Sequence, residues 1–192
     1  MSQSFRKMTN PDRKARLLLG NRIPHEFFIT KGSGESDITV HAGSFHLALC
    51  DAGIGMKNIV TYSSVLPAEA TQIEMPENRK QGDVMEVILA AGHCRKGERI
   101  TAGMAVGWLY EKESGEKVGG LVCELSGNYP VEEIEQKLRD SLLEIYGHGY
   151  ETYRLGDLQL ITETFVPHKQ YGTALVALCF TNYLYPVLGN RD

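Results

Sequence analysis

An α+β fold, with antiparallel or mixed sheet and helices packed outside it, follows from three observations. Roughly seven or eight extended apolar segments succeed one another, mostly through hairpin-like connections. One segment, starting at Pro130, instead carries apolar residues at helical spacing, in a total of about two or three helices. The 192 residues are 42% hydrophobic and 23% charged, with no internal repeat, low-complexity run or long linker, so one core suffices.

The elements follow in order. Met1 to Arg22 is polar and basic, with Arg6, Lys7, Arg13, Lys14, Arg16 and Arg22, and reads as a mobile or lightly docked tail, with a partner-binding arm as the alternative. The domain then spans 23–192. Glu26–Thr30 reads as a first strand leading into a glycine-rich acidic loop, Lys31–Asp37. That loop lacks the third glycine and helix signal of a phosphate cradle. Ser44 is placed to N-cap a short helix, Phe45–Ala52, stopped by Gly53. Asn58–Thr61 is a strand, as is Asp83–Ala91. Thr101–Tyr110 and Lys117–Leu125 form a hairpin around Lys112–Glu116. Pro130 suits the first helical position, and Val131, Ile134, Leu138, Leu142 and Ile145 line one face, with Gly147 as the stop. Leu155–Thr164 reads as a strand. Tyr171–Tyr183 is nearly all apolar and belongs deep in the core, as a strand or a helix.

A net charge of −4 argues against non-specific nucleic-acid binding. No apolar run approaches the roughly 20 residues that span a bilayer, and Leu17–Leu19 is too short for a signal-peptide core. Cys50, Cys94, Cys123 and Cys179 include no C-x-x-C pair, and three of them lie in apolar runs, which points to the cytoplasm. The six scattered histidines make no Cys/His comb, so no metal is expected.

Chemistry concentrates at Tyr62-Ser63-Ser64-Val65-Leu66-Pro67, which closes the Asn58–Thr61 strand. The Ser64 hydroxyl can attack the Ser63 carbonyl and turn the amide into an ester. β-Elimination then breaks the chain. Ser64 is left as a pyruvoyl group, a ketone that condenses with amines without added cofactor. The bland alternative is a strand end. Pro67 holds Leu66 extended and so helps fix the junction, and a donor is needed for the oxyanion.

The serine pair does not stand alone. Gly32-Ser-Gly-Glu-Ser-Asp37, Asp51-Ala-Gly-Ile-Gly55, Asn58-Ile-Val-Thr-Tyr-Ser-Ser-Val-Leu-Pro67 and Gly120-Leu-Val-Cys-Glu124 occur in that order. Together they resemble the pyruvoyl-dependent arginine decarboxylases, over about residues 24–185. The resemblance implies a four-layer αββα sandwich with mixed sheets. It implies self-cleavage at Ser63–Ser64 into a β chain, 1–63, and an α chain, 64–192. It also implies trimers, sometimes paired into hexamers, with active sites between subunits, and conversion of arginine to agmatine and carbon dioxide. The covalent pyruvoyl group would be the electron sink, the role that pyridoxal phosphate plays elsewhere; neither that cofactor nor a metal is expected.

By the same resemblance Glu124 matches the proton donor, and burial at the end of its apolar strand would keep it protonated; alone, it also reads as a solvated strand-end glutamate. Asn58 matches an asparagine near the pyruvoyl group, or simply bonds its own backbone at a strand start. A guanidinium needs carboxylates, and Glu35, Asp37 and Glu86 are the candidates. His46 stands where the family generally has an aspartate linked to guanidinium recognition. It cannot supply that charge, so another carboxylate substitutes or the substrate is another amino acid, such as histidine or ornithine. Other readings are an unprocessed, non-catalytic oligomer subunit and a serine hydrolase, although the G-x-S-x-G elbow is missing.

Overall fold

The computed structural model describes residues 16–77 and 80–191. In chain order the elements are β1 (Arg16–Leu19), β2 (Ile23–Pro24), β3 (Glu26–Ser36), a π-helical turn (Val40–Phe45), α1 (His46–Asp51), β4 (Asn58–Thr61), β5 (Val65–Pro67) and β6 (Thr71–Gln72). There follow β7 (Val84–Arg95), β8 (Ile100–Tyr110), β9 (Lys117–Gly127), α2 (Val131–Tyr146), β10 (Arg154–Phe165), β11 (Tyr171–Phe180), β12 (Tyr183–Leu184) and β13 (Val187–Arg191). The fold is mixed α+β, mostly sheet.

The apolar Tyr171–Tyr183 segment settles as a strand through Phe180. β11 is the centre of a five-stranded sheet ordered β4-β7-β11-β3-β6, antiparallel to both its neighbours, with β4 parallel to β7 and β6 parallel to β3. Its residues are apolar on both faces because both faces are covered. Leu175, Ala177 and Cys179 pack with Ala48, Leu49 and Ala52 of the α1 region. Ala174, Val176 and Leu178 pack with Met104, Val106 and Val122 of the second, four-stranded sheet, ordered β10-β8-β9-β5. On that sheet's other side, Ala105, Leu109, Leu121 and Cys123 receive Ile134, Leu138 and Leu142 of α2. Each of those three helix side chains is fully buried, worth roughly 2 kcal/mol apiece, which docks the helix firmly.

Several expectations are corrected. The first strand does not stop at Thr30, and Lys31–Asp37 is not a loop: β3 runs on through Ser36. Its glycines serve packing. A Cβ on Gly32 would lie 2.5 Å from the Ala48 oxygen and the Ala52 nitrogen, and one on Gly34 would collide with Ala48 N and with Ser44 O. The absent side chains let α1 lie directly on the strand. Ser44 caps nothing; it is buried inside the π-helical turn, 2.8 Å from Thr173 Oγ1, which in turn lies 2.8 Å from His93 Nδ1. The helix proper is His46–Asp51, and Gly53 (φ +77°) does end it. β7 extends four residues past Ala91, to Arg95. Pro130 is the N-cap of α2 rather than its first helical residue. Ile145 is exposed, because Tyr146 takes the core-facing place four residues after Leu142.

Of the tail expected over 1–22, residues 1–15 lie outside the described residues. Arg16–Leu19 is not loose: it pairs antiparallel with β13, and β2 pairs with β12, so the two ends of the described chain are zipped together. No helix among the described residues is long and apolar enough to cross a membrane.

Candidate active site

β4 belongs to the five-stranded sheet and β5 to the four-stranded one. The chain changes sheets between them. Tyr62 is tied to the first sheet, its N–H donating to the Val87 carbonyl at 2.7 Å. Ser64 is tied to the second, its carbonyl accepting from Val122 N–H at 3.0 Å. The Ser63–Ser64 peptide bond is therefore the bridge from one rigid layer to the other.

Both groups needed for acyl shift are oriented there. The Ser64 hydroxyl donates to the Glu124 carboxylate, with Oγ 2.7 and 2.8 Å from its two oxygens. The Ser63 carbonyl oxygen accepts from Val65 N–H at 3.1 Å. The first contact gives the hydroxyl a carboxylate acceptor. The second places a donor on the oxygen that would become an oxyanion. Sequence reasoning asked for such a donor without finding it, since a backbone N–H leaves no signature in residue type.

β9 explains Glu124. Leu121 and Cys123 face α2, whereas Val122 and Glu124 face the other way, toward the junction. The burial expected for Glu124 is not found in the single chain: its carboxylate is exposed, and the pairing of β5 with β9 stops at Leu121, three residues before it. Cys123 beside it is buried, and burial followed by the Glu124 charge pushes its thiol up to about 11.

The remaining predicted residues do not gather at Ser64. Asn58 donates to the Gly82 carbonyl at 2.8 Å, a backbone partner 24 residues away rather than its own. Glu35 accepts from His168 N–H at 2.7 Å and Lys169 N–H at 3.3 Å, and Asp37 from Gln170 N–H at 3.2 Å; both tie down the loop before β11. Those backbone donors hold the Glu35 carboxyl below its ordinary range, the His168 N–H most. Glu35 stands opposite Gly172, whereas Val87, which holds Tyr62, stands opposite Cys179. That is seven residues along β11, roughly 23 Å. His46 is exposed on α1, 3.5 Å from Cys50 Sγ.

Glu86 is corrected as a free guanidinium receptor. Its buried carboxylate already pairs with Arg22 and accepts from Tyr62 Oη at 2.6 Å. Sequence reasoning missed Tyr62 and Arg22. A tyrosine just past a strand end does signal a hydroxyl in need of a partner.

The candidate site is thus a paired serine bridging two sheets, with a carboxylate on the second hydroxyl. Residues 26–184 match the family model for pyruvoyl-dependent arginine decarboxylase. The chain is 31% identical over 186 residues to the pyruvoyl-dependent arginine decarboxylase AaxB of Chlamydia abortus, covering 85% of this chain and 94% of that one. It is 28% identical over 159 residues to the pyruvoyl-dependent arginine decarboxylase of Methanopyrus kandleri, covering 82% and 97%. The chain belongs to the pyruvoyl-dependent arginine decarboxylase family.

Proposed function

We propose that the chain cuts itself between Ser63 and Ser64 and then decarboxylates arginine to agmatine and carbon dioxide. The observation that carries this reading is the Ser64 hydroxyl held on Glu124 beside a Ser63 carbonyl that already accepts a hydrogen bond. Family membership and the names of its relatives support the substrate class.

In maturation the Ser64 Oγ adds to the Ser63 carbonyl carbon as Glu124 takes its proton. Val65 N–H holds the oxyanion, and the C–N bond breaks as Glu124 passes that proton to the departing nitrogen, leaving an ester and a free Ser64 amine. Removal of the Ser64 α-proton expels the Ser63 carboxylate. Water then replaces the nitrogen, releasing ammonia and leaving a keto group on residue 64. The resulting ketone supplies the electron sink for decarboxylation. Around it, Glu124 holds the proton that returns to the substrate α-carbon, Val122 N–H keeps the residue-64 carbonyl fixed, and Leu66, buried, closes the inner side.

Glu35, Asp37, His46 and Asn58 enter this reading from a neighbouring copy. They lie on exposed or edge positions away from Ser64, and Glu124 is open to solvent, which supports active sites shared between subunits of a trimer or hexamer. The three apolar cores, one between the sheets and one beneath each helix, support a four-layer αββα sandwich. The free state of all four cysteines supports a reducing compartment, the cytoplasm.

Intact-mass measurement of wild type and Ser64→Ala, with agmatine assayed alongside, tests the proposal. Two fragments from wild type, the larger carrying a borohydride-reducible ketone, one uncut chain from Ser64→Ala, and agmatine from wild type alone are expected. An uncut, inactive wild-type chain would overturn it and favour a non-catalytic subunit. A cut, keto-bearing chain that releases carbon dioxide from histidine or ornithine but not from arginine would overturn the substrate.

A further inference from the structure

Arg22 lies outside the 26–184 family match, yet the described segments flanking that match pair with each other and bring Arg22 to Tyr62, beside the serine pair. Gly20 N–H donates to the Pro186 carbonyl at 2.8 Å, and Ile23 and Pro24 pair with Leu184 and Tyr183. This zipper holds the Arg22 guanidinium over the Tyr183 ring, 4.8 Å from its centroid. From there it donates to Tyr62 Oη at 3.0 Å and pairs with the Glu86 carboxylate. Tyr62 Oη donates to the same carboxylate.

We propose that Arg22, Glu86 and Tyr62 form a clamp that positions the Ser63–Ser64 bond for self-cleavage, so that the segment before the family-matched region controls maturation. The inference rests on the self-cleavage reading above. Tyr62 immediately precedes Ser63, whose carbonyl belongs to the bond. It is held at three points: its N–H on Val87, its ring 5.6 Å from that of Phe180, and its hydroxyl on Glu86. Ser64 is held from the other side by Val122 and Glu124. Only Ser63 lies between the two anchors, so its backbone angles, and with them the face of its carbonyl offered to Ser64 Oγ, are set by where the anchors sit. Acyl shift through a small ring tolerates little error in that angle, and misplacement on the order of 1 Å can cost 10²-fold. A buried carboxylate with tyrosine and arginine donors is a rigid anchor, because removing a donor leaves charge unsatisfied. These are positioning residues: none touches the reacting atoms.

The test follows cleavage of purified full-length Arg22→Leu, Tyr62→Phe and Glu86→Gln by intact mass over time. Melting of each change in the uncut Ser64→Ala background monitors the fold. Turnover per keto group, counted by borohydride reduction, is measured for matured Arg22→Leu and Tyr62→Phe. Cleavage slowed about tenfold, with turnover per keto group within about twofold of wild type, supports the clamp. Wild-type cleavage rates in folded Arg22→Leu and Tyr62→Phe overturn it, as does slowing that merely follows the loss of melting temperature. Arg22 sits at the surface end of the cluster, so its variant decides the matter where Glu86→Gln does not fold. A wild-type chain that never cuts overturns both the clamp and the self-cleavage reading; a wild-type chain that cuts no faster than the variants removes the clamp alone.

Discussion

The hydroxyl of Ser64 and the carboxylate of Glu124 are bound to each other although 60 residues separate them in sequence. The carboxylate can therefore serve twice, accepting the nucleophile's proton in maturation and returning a proton to the substrate in turnover. Glu124→Gln keeps an acceptor for Ser64 but cannot exchange the proton. Cleavage should go to completion more slowly, while kcat should fall about 10²–10⁴-fold, the usual worth of a positioned acid or base. Time-resolved mass spectra and carbon dioxide release measure the two separately. Near-normal turnover would remove Glu124 as the donor.

The Val65 N–H donates to the Ser63 carbonyl oxygen, which becomes the oxyanion in the proposed cleavage. Val65→Pro deletes it and should slow cleavage about 10²–10³-fold, as loss of one oxyanion donor does elsewhere. Val65 is exposed, so Val65→Ala controls for its side chain and should cleave at close to the wild-type rate. Equal rates for the proline and alanine variants would rule out an oxyanion role for this N–H.

Period-two and helical patterns made most strands and α2 legible, since they are dictated by which faces are buried. Gly32 and Gly34 misled because glycine in a sequence marks either a turn or a close approach, and the α1 backbone that needs the approach comes later in the chain. The serine pair was legible as chemistry and Glu124 as a proton donor through the family's motifs, whereas the contact of its carboxylate with the Ser64 hydroxyl was not, because it depends on β9 lying across the junction. Arg22 was not, because its meaning depends on β2 pairing with β12 at the far end of the chain. Glu86 was read as a receptor for a guanidinium, and it receives one, that of the protein's own Arg22. The separation of Glu35 and Asp37 from Ser64 could not be read from the sequence either, because it depends on register along β11.

Acid should loosen the same cluster. Burial pushes the Glu86 carboxyl up, but hydrogen bonds from Tyr183 and Tyr62 and the Arg22 charge outweigh it, and the net direction is below the ordinary value of 4.5. A carboxyl depressed in the folded state contributes fully above its unfolded value and loses that contribution as pH falls through the folded one. The uncut Ser64→Ala chain should thus lose melting temperature progressively below about pH 4.5. Adding Glu86→Gln should lower the melting temperature at pH 7 and shrink the difference between pH 7 and pH 3. An unchanged acid slope would show that Glu86 ionises alike in folded and unfolded chains.

Gly34 carries the contact of α1 with β3. A methyl there meets backbone atoms of Ala48 and Ser44, which cannot rotate away. Gly34→Ala should destabilise the Ser64→Ala precursor by about 3 kcal/mol, the upper range for overpacking. Gly82, with nothing within 4 Å of a built Cβ but φ of +83°, is the contrast: Gly82→Ala should cost about 1 kcal/mol from backbone strain alone. Urea denaturation of both, read by tryptophan fluorescence from Trp108, ranks them, and a smaller loss at Gly34 than at Gly82 would show that α1 shifts to make room.

His46 and Asp37 differ in what they can offer a guanidinium. His46 is exposed on α1, its ring 3.5 Å from Cys50 Sγ, whereas Asp37 is held by Gln170 N–H. A neutral imidazole gives a guanidinium no charge, and a protonated one repels it. If His46 faces a neighbour's Ser64 in the assembled enzyme, His46→Asp adds a carboxylate to the guanidinium's surroundings and should lower KM for arginine about tenfold, the worth of one charge-assisted hydrogen bond. Because binding remote from the reacting carbon is uniform between ground and transition states, kcat should change little. The effect should be absent for substrates without a cationic side chain. Steady-state assays across arginine, ornithine and histidine measure this directly, and an unchanged KM for arginine would take His46 out of substrate recognition and leave it as a surface residue of α1.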